Sequence, residues 1–266
     1  MVAFVRICSW NVNSVRARLP LVERLVAERA PDILCLQEIK VETDAFPRAA
    51  FRAMGYEHEA IFGQRGHHGV AILSRLALNK SESIDWCGLG DARHISAELP
   101  GGIRLHDFYV PAGGDVPDPD LNPRFAHKLA FLDEMIEWAK GLSEPTIALG
   151  DFNVAPLACD VWNHKALLSV VSHTPVETER LERLRAAHEW HDAVRAVFTA
   201  PQPIFTWWSY RARDWRASNR GRRLDHVWLS PDLAPALVGV EIVEEARGWE
   251  RPSDHVPVLV DLDLGS

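Results

Sequence analysis

Residues 149–153 of this 266-residue chain read Leu-Gly-Asp-Phe-Asn and end an apolar run, 145–149, of the kind that forms a short buried strand. In extended backbone, side chains two apart share a face, so Asp151 and Asn153 project together from the strand's end. A carboxylate beside an amide can hold one water or one metal-bound oxygen. A lone Asp-x-Asn is more often an Asx turn closing a strand, but this one has company. Trp10-Asn11-Val12-Asn13 ends a second strand-like run, and Glu38 follows the apolar Ile33-Leu34-Cys35-Leu36. Tyr109 closes a third run, Asp225 lies in a fourth, and Asp254-His255 precedes the last. A carboxylate at the exit of a buried strand is costly unless it is paired or binds a metal, and in α/β sheets chemistry collects beyond the carboxyl ends of strands. The set is rich in oxygen and nearly free of Cys and His, which suits Mg²⁺ or Mn²⁺ better than Zn²⁺. A single His suits acid/base or oxyanion work. Carboxylates, a hard cation, a phenol and an imidazole together point to attack of water on a phosphodiester.

The elements that must position these residues follow from periodicity. Strands are expected at 2–9, 33–36, 56–62, 69–74, 78–84, 93–99, 103–110, 145–149, 205–210, 224–229, 238–243 and 256–264. Leu19, Leu21, Val22, Leu25 and Val26 form a helical stripe to about Arg29, with Ser14 as its cap. Phe125, Leu129, Leu132, Met135, Ile136 and Ala139 trace a long helix ending before Gly141. Shorter helices are expected at 46–54, 177–187 and 191–198. The adjacent His67 and His68 diverge along the chain and have no third ligand nearby, so a metal reading fails there. No linker, repeat or low-complexity stretch interrupts the chain. One α/β domain over 1–266, with a mixed-sheet core, is expected.

Composition sets the bounds. Hydrophobic residues make up 47% and charged residues 25%, which is ordinary for a globular protein. The net charge of −8 argues against a non-specific nucleic-acid coat but not against a local basic patch or an acidic metal site. Cys8, Cys35, Cys87 and Cys159 are far apart and read as reduced thiols. No basic-then-apolar leader opens the chain and no apolar run approaches membrane-spanning length, so a cytoplasmic protein is expected, nucleoid-associated when on DNA.

The ordered motifs carry a resemblance. They are Ser9-Trp10-Asn11-Val12-Asn13-Ser14-Val15-Arg16-Ala17-Arg18, Leu36-Gln37-Glu38-Ile39-Lys40, Tyr109-Val110-Pro111, Gly150-Asp151-Phe152-Asn153, Thr206-Trp207-Trp208-Ser209-Tyr210-Arg211, Asn219-Arg220-Gly221-Arg222-Arg223-Leu224-Asp225 and Ser253-Asp254-His255. In that order they span nearly the whole chain, which resembles the exonuclease III branch of the endonuclease/exonuclease/phosphatase superfamily, the apurinic/apyrimidinic (AP) endonucleases. The resemblance implies a DNase I-like, four-layered sandwich of two packed mixed β-sheets flanked by helices, with the site at one edge. It implies cleavage of DNA 5′ to abasic sites and removal of 3′ nucleotides or blocking groups from duplex ends, by a monomer. It also implies roles: Glu38 as principal metal ligand with Asn11 beside it, and Asp254 as a ligand when a second ion is considered. Asp151 would activate or orient the water, supported by Asn153. Tyr109 would contact the phosphate, and His255 would face its oxygen. Asp151, Asn153 and His255 remain alternative ligands.

One pairing follows from geometry. Asp254 adjoins His255, and adjacent side chains in extended chain face opposite ways. Asp225 is therefore the better partner for the second ring nitrogen of His255, against the alternative that Asp225 pairs with Arg222 or Arg223. The DNA-facing stretch is 207–224, where Trp207, Arg211, Arg213, Arg220 and Leu224, with Lys40, are the expected contacts; aromatics interleaved with Arg suit phosphates plus stacking. Trp207 and Trp208 face opposite ways, so one of them is core. Two positions depart from relatives: Arg222 stands where some carry an aromatic pocket wall, and Asp115 where eukaryotic members carry a basic residue. A phosphodiesterase acting on a non-DNA phosphoester, and an inactive nucleic-acid-binding module, are the competing classes. The aromatic–arginine stretch speaks against the first and the intact polar set against the second.

Overall fold

The computed structural model describes residues 4–212 and 214–265. Its strands are β1 (Phe4–Asn11), β2 (Ile33–Gln37), β3 (His58–Phe62), β4 (Val70–Ser74), β5 (Asn79–Glu82), β6 (His94–Leu99), β7 (Ile103–Tyr109), β8 (Thr146–Asp151), β9 (His191–Asp192), β10 (Trp207–Trp208), β11 (Gly221–Arg222), β12 (Asp225–Leu229), β13 (Leu237–Ile242) and β14 (Val258–Asp263). Helices are α1 (Val15–Arg29), α2 (Arg48–Ala53), α3 (Pro123–Lys140), α4 (His164–Leu167), α5 (Pro175–Ala187), α6 (Ala193–Val197) and α7 (Trp215–Ser218). Two six-stranded sheets run β13-β14-β1-β2-β4-β3 and β5-β6-β7-β8-β12-β9, and β10-β11 form a separate ribbon.

Each sheet has one parallel pair at its centre. β1 and β2 pair parallel, joined through α1; β7 and β8 pair parallel, joined through α3. Parallel strands end on the same side, so each crossover delivers two carboxyl ends together: Asn11 beside Gln37, and Tyr109 beside Asp151. The antiparallel β12 begins where β8 ends, with Asp225 opposite Asp151.

The period of two explains the layers. On β1, Val5 and Ile7 face the second sheet while Cys8 and Trp10 face the helix layer. The inter-sheet core holds Val5, Ile7, Ile33 and Cys35 against Leu105, Ile147, Leu149 and Val227. Outside it, Val22 and Leu25 of α1 cover the first sheet, and Leu132, Met135 and Ile136 of α3 with Leu181 of α5 cover the second. This is the expected four-layered sandwich. Toward the site the inward stripe turns polar. Buried Gln37 donates to Asp107 Oδ1 (2.6 Å) and Ser9 Oγ (3.2 Å), and burial pushes the Asp107 carboxyl well above its usual range.

The strand expected over 205–210 contracts to Trp207–Trp208, because its ribbon partner is only Gly221–Arg222. The short α4 and α7 were not legible in the periodicity: each spans a single turn. All four cysteines are free thiols. Among the described residues no helix is long and apolar enough to cross a membrane.

Gly150 shows how tightly the site strand is seated. Its φ is +130°, and an added Cβ would lie 2.0 Å from the carbonyl oxygen of Phe108 on β7. Gly150→Ala is expected to cost at least about 2 kcal/mol in a denaturation experiment, since strained backbone alone accounts for 1–3. Wild-type stability would show that β7 and β8 can separate at no cost.

Candidate active site

Asn11 stands at the junction of the two sheets. Its Nδ2 donates to Glu38 Oε1 (2.9 Å) and to Asp151 Oδ2 (3.0 Å), so one amide nitrogen holds carboxylates delivered by different sheets. Its Oδ1 accepts from the Asn13 amide at 3.1 Å. Asn153 repeats the arrangement: its backbone N donates to Asp151 Oδ1 (2.9 Å) and its Nδ2 to Asp151 Oδ2 (3.0 Å). The Asx turn and the functional pair are thus the same object. Several non-glycine residues here adopt left-handed backbone, among them Asn13, Glu38, Lys40 and Asn153 at φ between +45° and +53°. Such conformations persist where the surroundings over-determine them, and they cluster at functional sites.

His255 completes the floor. Its Nδ1 lies 2.9 Å from Asp225 Oδ2 and its Nε2 3.6 Å from Asp151 Oδ2. Asp225, rather than Asp254, orients the ring, and the alternative pairing is absent: Arg223 holds Asp160 and Asp192 instead. Burial opposes the imidazolium, but the charges of Asp225 and Asp151 outweigh it and raise His255 to about 10. Burial also lifts Asp151 to about 7, the His255 charge opposing and the Asp225 charge adding. Glu38 behaves differently. Burial would raise it, but the Lys40 ammonium 2.8 Å away and the Asn11 amide hold it below the usual carboxylate range. Tyr109 is pushed well above an ordinary phenol by burial and by the nearby charges of Glu38 and Asp151, so it stays a neutral donor.

Asp254 lines the same cleft, with both oxygens engaged: Oδ1 accepts from Asn13 Nδ2 and Oδ2 from Trp207 Nε1, each at 3.0 Å. Lys40, expected at the DNA, is turned inward to Glu38 and to Asn13 Oδ1 (2.5 Å).

The wall rises from the ribbon. Trp207, Leu224, Arg211 and Arg220 all line the cleft with the floor residues, whereas Trp208 is buried against Phe205 and Trp215. Arg213 lies outside the described residues. Arg222, where an aromatic was the alternative, lies 5.2 Å from the Trp207 ring and is pinned by Val171 O (2.9 Å) and Ser172 Oγ (2.6 Å).

The donors fit a hard divalent cation. Glu38 and Asp151 bring carboxylate oxygens to the two sides of the Asn11 amide nitrogen, and one ligand atom each of Asp151, Asp225 and His255 lies within 4.8 Å of the others. Asp225 Oδ1 is buried without a hydrogen-bond partner among the described residues. Oxygen-rich, carboxylate-dominated surroundings are what hard divalent cations select.

Comparison with known proteins identifies the setting. Residues 8–255 match the Endonuclease/Exonuclease/phosphatase family. The chain belongs to that family, in its exonuclease III branch. It is 31% identical to exodeoxyribonuclease III of Haemophilus influenzae, with 97% of this chain and 99% of that one covered. An AP endonuclease structure from Archaeoglobus fulgidus superposes with a TM-score of 0.90 at 30% identity, covering 98% and 100% of the two chains. A 3′ phosphatase from Neisseria, solved with a product DNA hairpin, gives 0.89 at 33% identity over 97% and 99%. The exonuclease III family is metal-dependent, in keeping with the acidic cluster.

Sequence reasoning missed Lys128, Glu177, Val171 and Ser172, which support or line the cleft. One signal was available: Lys128 interrupts the apolar stripe of α3 yet is fully buried.

Two expectations follow. Asn at position 225 removes the charge that favours the imidazolium, so His255 loses its proton at lower pH. The alkaline limb of kcat/KM in Asp225→Asn should move toward neutrality, and an unmoved limb would show that Asp225 does not control His255. Trp208→Ala should cost about 3–5 kcal/mol of stability, as for a buried core tryptophan. Trp207→Ala should leave Tm nearly unchanged and weaken DNA binding by about 1–3 kcal/mol, as for a stacking aromatic. The opposite pattern would reverse the two faces.

Proposed function

We propose that this chain is a Mg²⁺- or Mn²⁺-dependent DNA repair phosphodiesterase. It cleaves duplex DNA 5′ to abasic sites and removes 3′ nucleotides or 3′ blocking groups, by attack of water on phosphorus. The observation that carries the reading is the joining of Asp151 and the His255–Asp225 pair to Asn11 and Glu38 at the floor of a cleft walled by Trp207, Arg222 and Leu224. The AP endonuclease and 3′ phosphatase among the similar structures supply the substrate class.

Asp151, held by Asn11 and Asn153, accepts the proton of the attacking water and aims it at phosphorus. His255, charged and oriented by Asp225, faces the phosphoryl oxygen on which charge develops; a preorganised donor there acts mainly in the transition state. Tyr109 donates its phenolic proton to a phosphate oxygen. Glu38 and Asn11 would hold the cation, with Asp254, Asp151, Asn153 and His255 as further candidates; bound there, it supplies Lewis-acid stabilisation of phosphoryl charge. Trp207 and Leu224 offer an apolar face to the sugar that lacks a base, while Arg211, Arg213 and Arg220 meet phosphates. Lys40 tunes Glu38 and is thereby a less direct DNA contact. The proposal extends to a single-domain monomer that works in the cytoplasm on nucleoid DNA.

A duplex with one abasic site tests the reading. Cleavage should occur 5′ to the site with Mg²⁺, leaving a 3′-hydroxyl, and Glu38→Ala should weaken metal binding and remove most activity. His255→Ala should lower kcat by at least about a hundredfold with DNA affinity little changed. Full activity in excess chelator would sink the metal role, and a change confined to KM would make His255 a ground-state binder. Hydrolysis of a phosphoinositide with the abasic duplex left intact would favour the non-DNA class.

A further inference from the structure

Lys128 and Glu177 are both fully buried, with Nζ 2.5 Å from Oε1. Lys128 lies in α3 and Glu177 in the first turn of α5. Lysine and glutamate are almost never fully buried unless paired, and a buried pair adds little to stability by itself, so the question is what else these two hold.

Part of the answer is ordinary. Glu177 closes a capping box with Thr174, accepting from its N (3.2 Å) and Oγ1 (2.6 Å). That does not explain the rest. Both carboxylate oxygens also accept from the Ser172 amide at 2.9 Å, two residues before the cap. Lys128 Nζ donates onward to Asn153 O (2.7 Å) and Ala112 O (3.4 Å). Gly113, at φ +88°, makes room for the stem: a Cβ there would lie 2.9 Å from Lys128 Cδ. Ser172 Oγ and Val171 O in turn anchor Arg222, the wall of the cleft.

The hydrogen bonds of this one pair therefore end on the loop after β7, the loop after β8 and the segment bearing the cleft wall. The reason for a charged pair is visible at Asn153. A left-handed φ of +53° leaves its carbonyl oxygen accepting from the buried Lys128 ammonium. A buried carbonyl needs a donor, and an ammonium has three, enough for Asn153, Ala112 and Glu177 together.

We infer that Lys128 and Glu177 are positioning residues. Lys128 sets the Asn153 backbone, and through it the Asp151–Asn153 pair, against the loop that follows Tyr109; Glu177 fixes the Val171–Ser172 wall on which Arg222 is seated. The inference rests on the roles proposed above for Asp151 and Asn153.

The test separates position from stability. Lys128→Met alone strands a buried carboxylate, whereas the double variant Lys128→Met/Glu177→Leu removes both charges, an exchange that often preserves stability. With the abasic duplex and Mg²⁺, well below the melting temperature, the double variant should keep Tm within about 5 °C of wild type. Its kcat should fall at least about twentyfold, since misplacement of a reacting group by 1 Å can cost about a hundredfold, and its KM should rise about fivefold or more as the wall loses Glu177. A folded double variant with wild-type kcat overturns the inference alone. Failure of the wild-type chain to cut DNA overturns the nuclease reading and this inference with it. Should the double variant not fold, Glu177→Gln decides. It leaves Lys128 able to donate to Asn153 but replaces one of the two oxygens that accept from Ser172 with an amide nitrogen, so kcat should stay within about threefold while KM rises about fivefold or more as the wall loosens. Unchanged KM there overturns the inference.

Discussion

One amide nitrogen holds the two halves of this site together. Asn11 Nδ2 is shared between Glu38, at the end of one sheet's parallel pair, and Asp151, at the end of the other's. Carboxylates this close repel, and burial raises the cost of their charge. Among the described residues, Lys40 pairs with Glu38, and His255 lies against Asp225 and Asp151, while Asp254 has no ion-pair partner. Burial lifts Asp151 to about 7, with the His255 charge opposing and the Asp225 charge adding, and a divalent cation would complement this cluster of carboxylates. With such an ion bound, Asp151 would ionise more readily, as opposite charge favours the charged form.

The fold below the site is arranged to make that junction rigid. Paired crossovers through α1 and α3 bring four strand ends to one edge, and the antiparallel β12 adds Asp225 opposite Asp151. Between the apolar core and the reactive floor lies a buried polar layer, Ser9, Gln37 and Asp107, bonded within itself. The layer is only partly satisfied, since Gln37 Oε1 and Asp107 Oδ2 have no partner among the described residues, and a half-satisfied buried network is costly.

Much of this was legible because it depends on local rules. Period-two facing placed Asp151 with Asn153, rejected Asp254 as the partner of His255, and put Trp207 and Trp208 on opposite faces. The result at Asn153 came by a different route: the residue is left-handed, not extended, and reaches Asp151 through an Asx turn. What stayed hidden depends on long-range burial. Nothing local says that Lys128 meets Glu177, that Arg222 is pinned under Ser172, or that Lys40 turns to Glu38 rather than outward. The single-turn helices α4 and α7 were invisible for the opposite reason, being too short to carry a period.

In the proposed mechanism an activated water stands between Asp151 and a phosphorus atom whose oxygen faces His255. The most direct measurement is the fate of that water. When a duplex with one abasic site is cut in water enriched in oxygen-18, the fragment beginning at the abasic residue should carry one labelled oxygen on its 5′-phosphate. Cleavage without label on that phosphate, or products showing scission on the 3′ side of the sugar by elimination, would contradict hydrolysis at phosphorus and with it the assignment of Asp151 and His255.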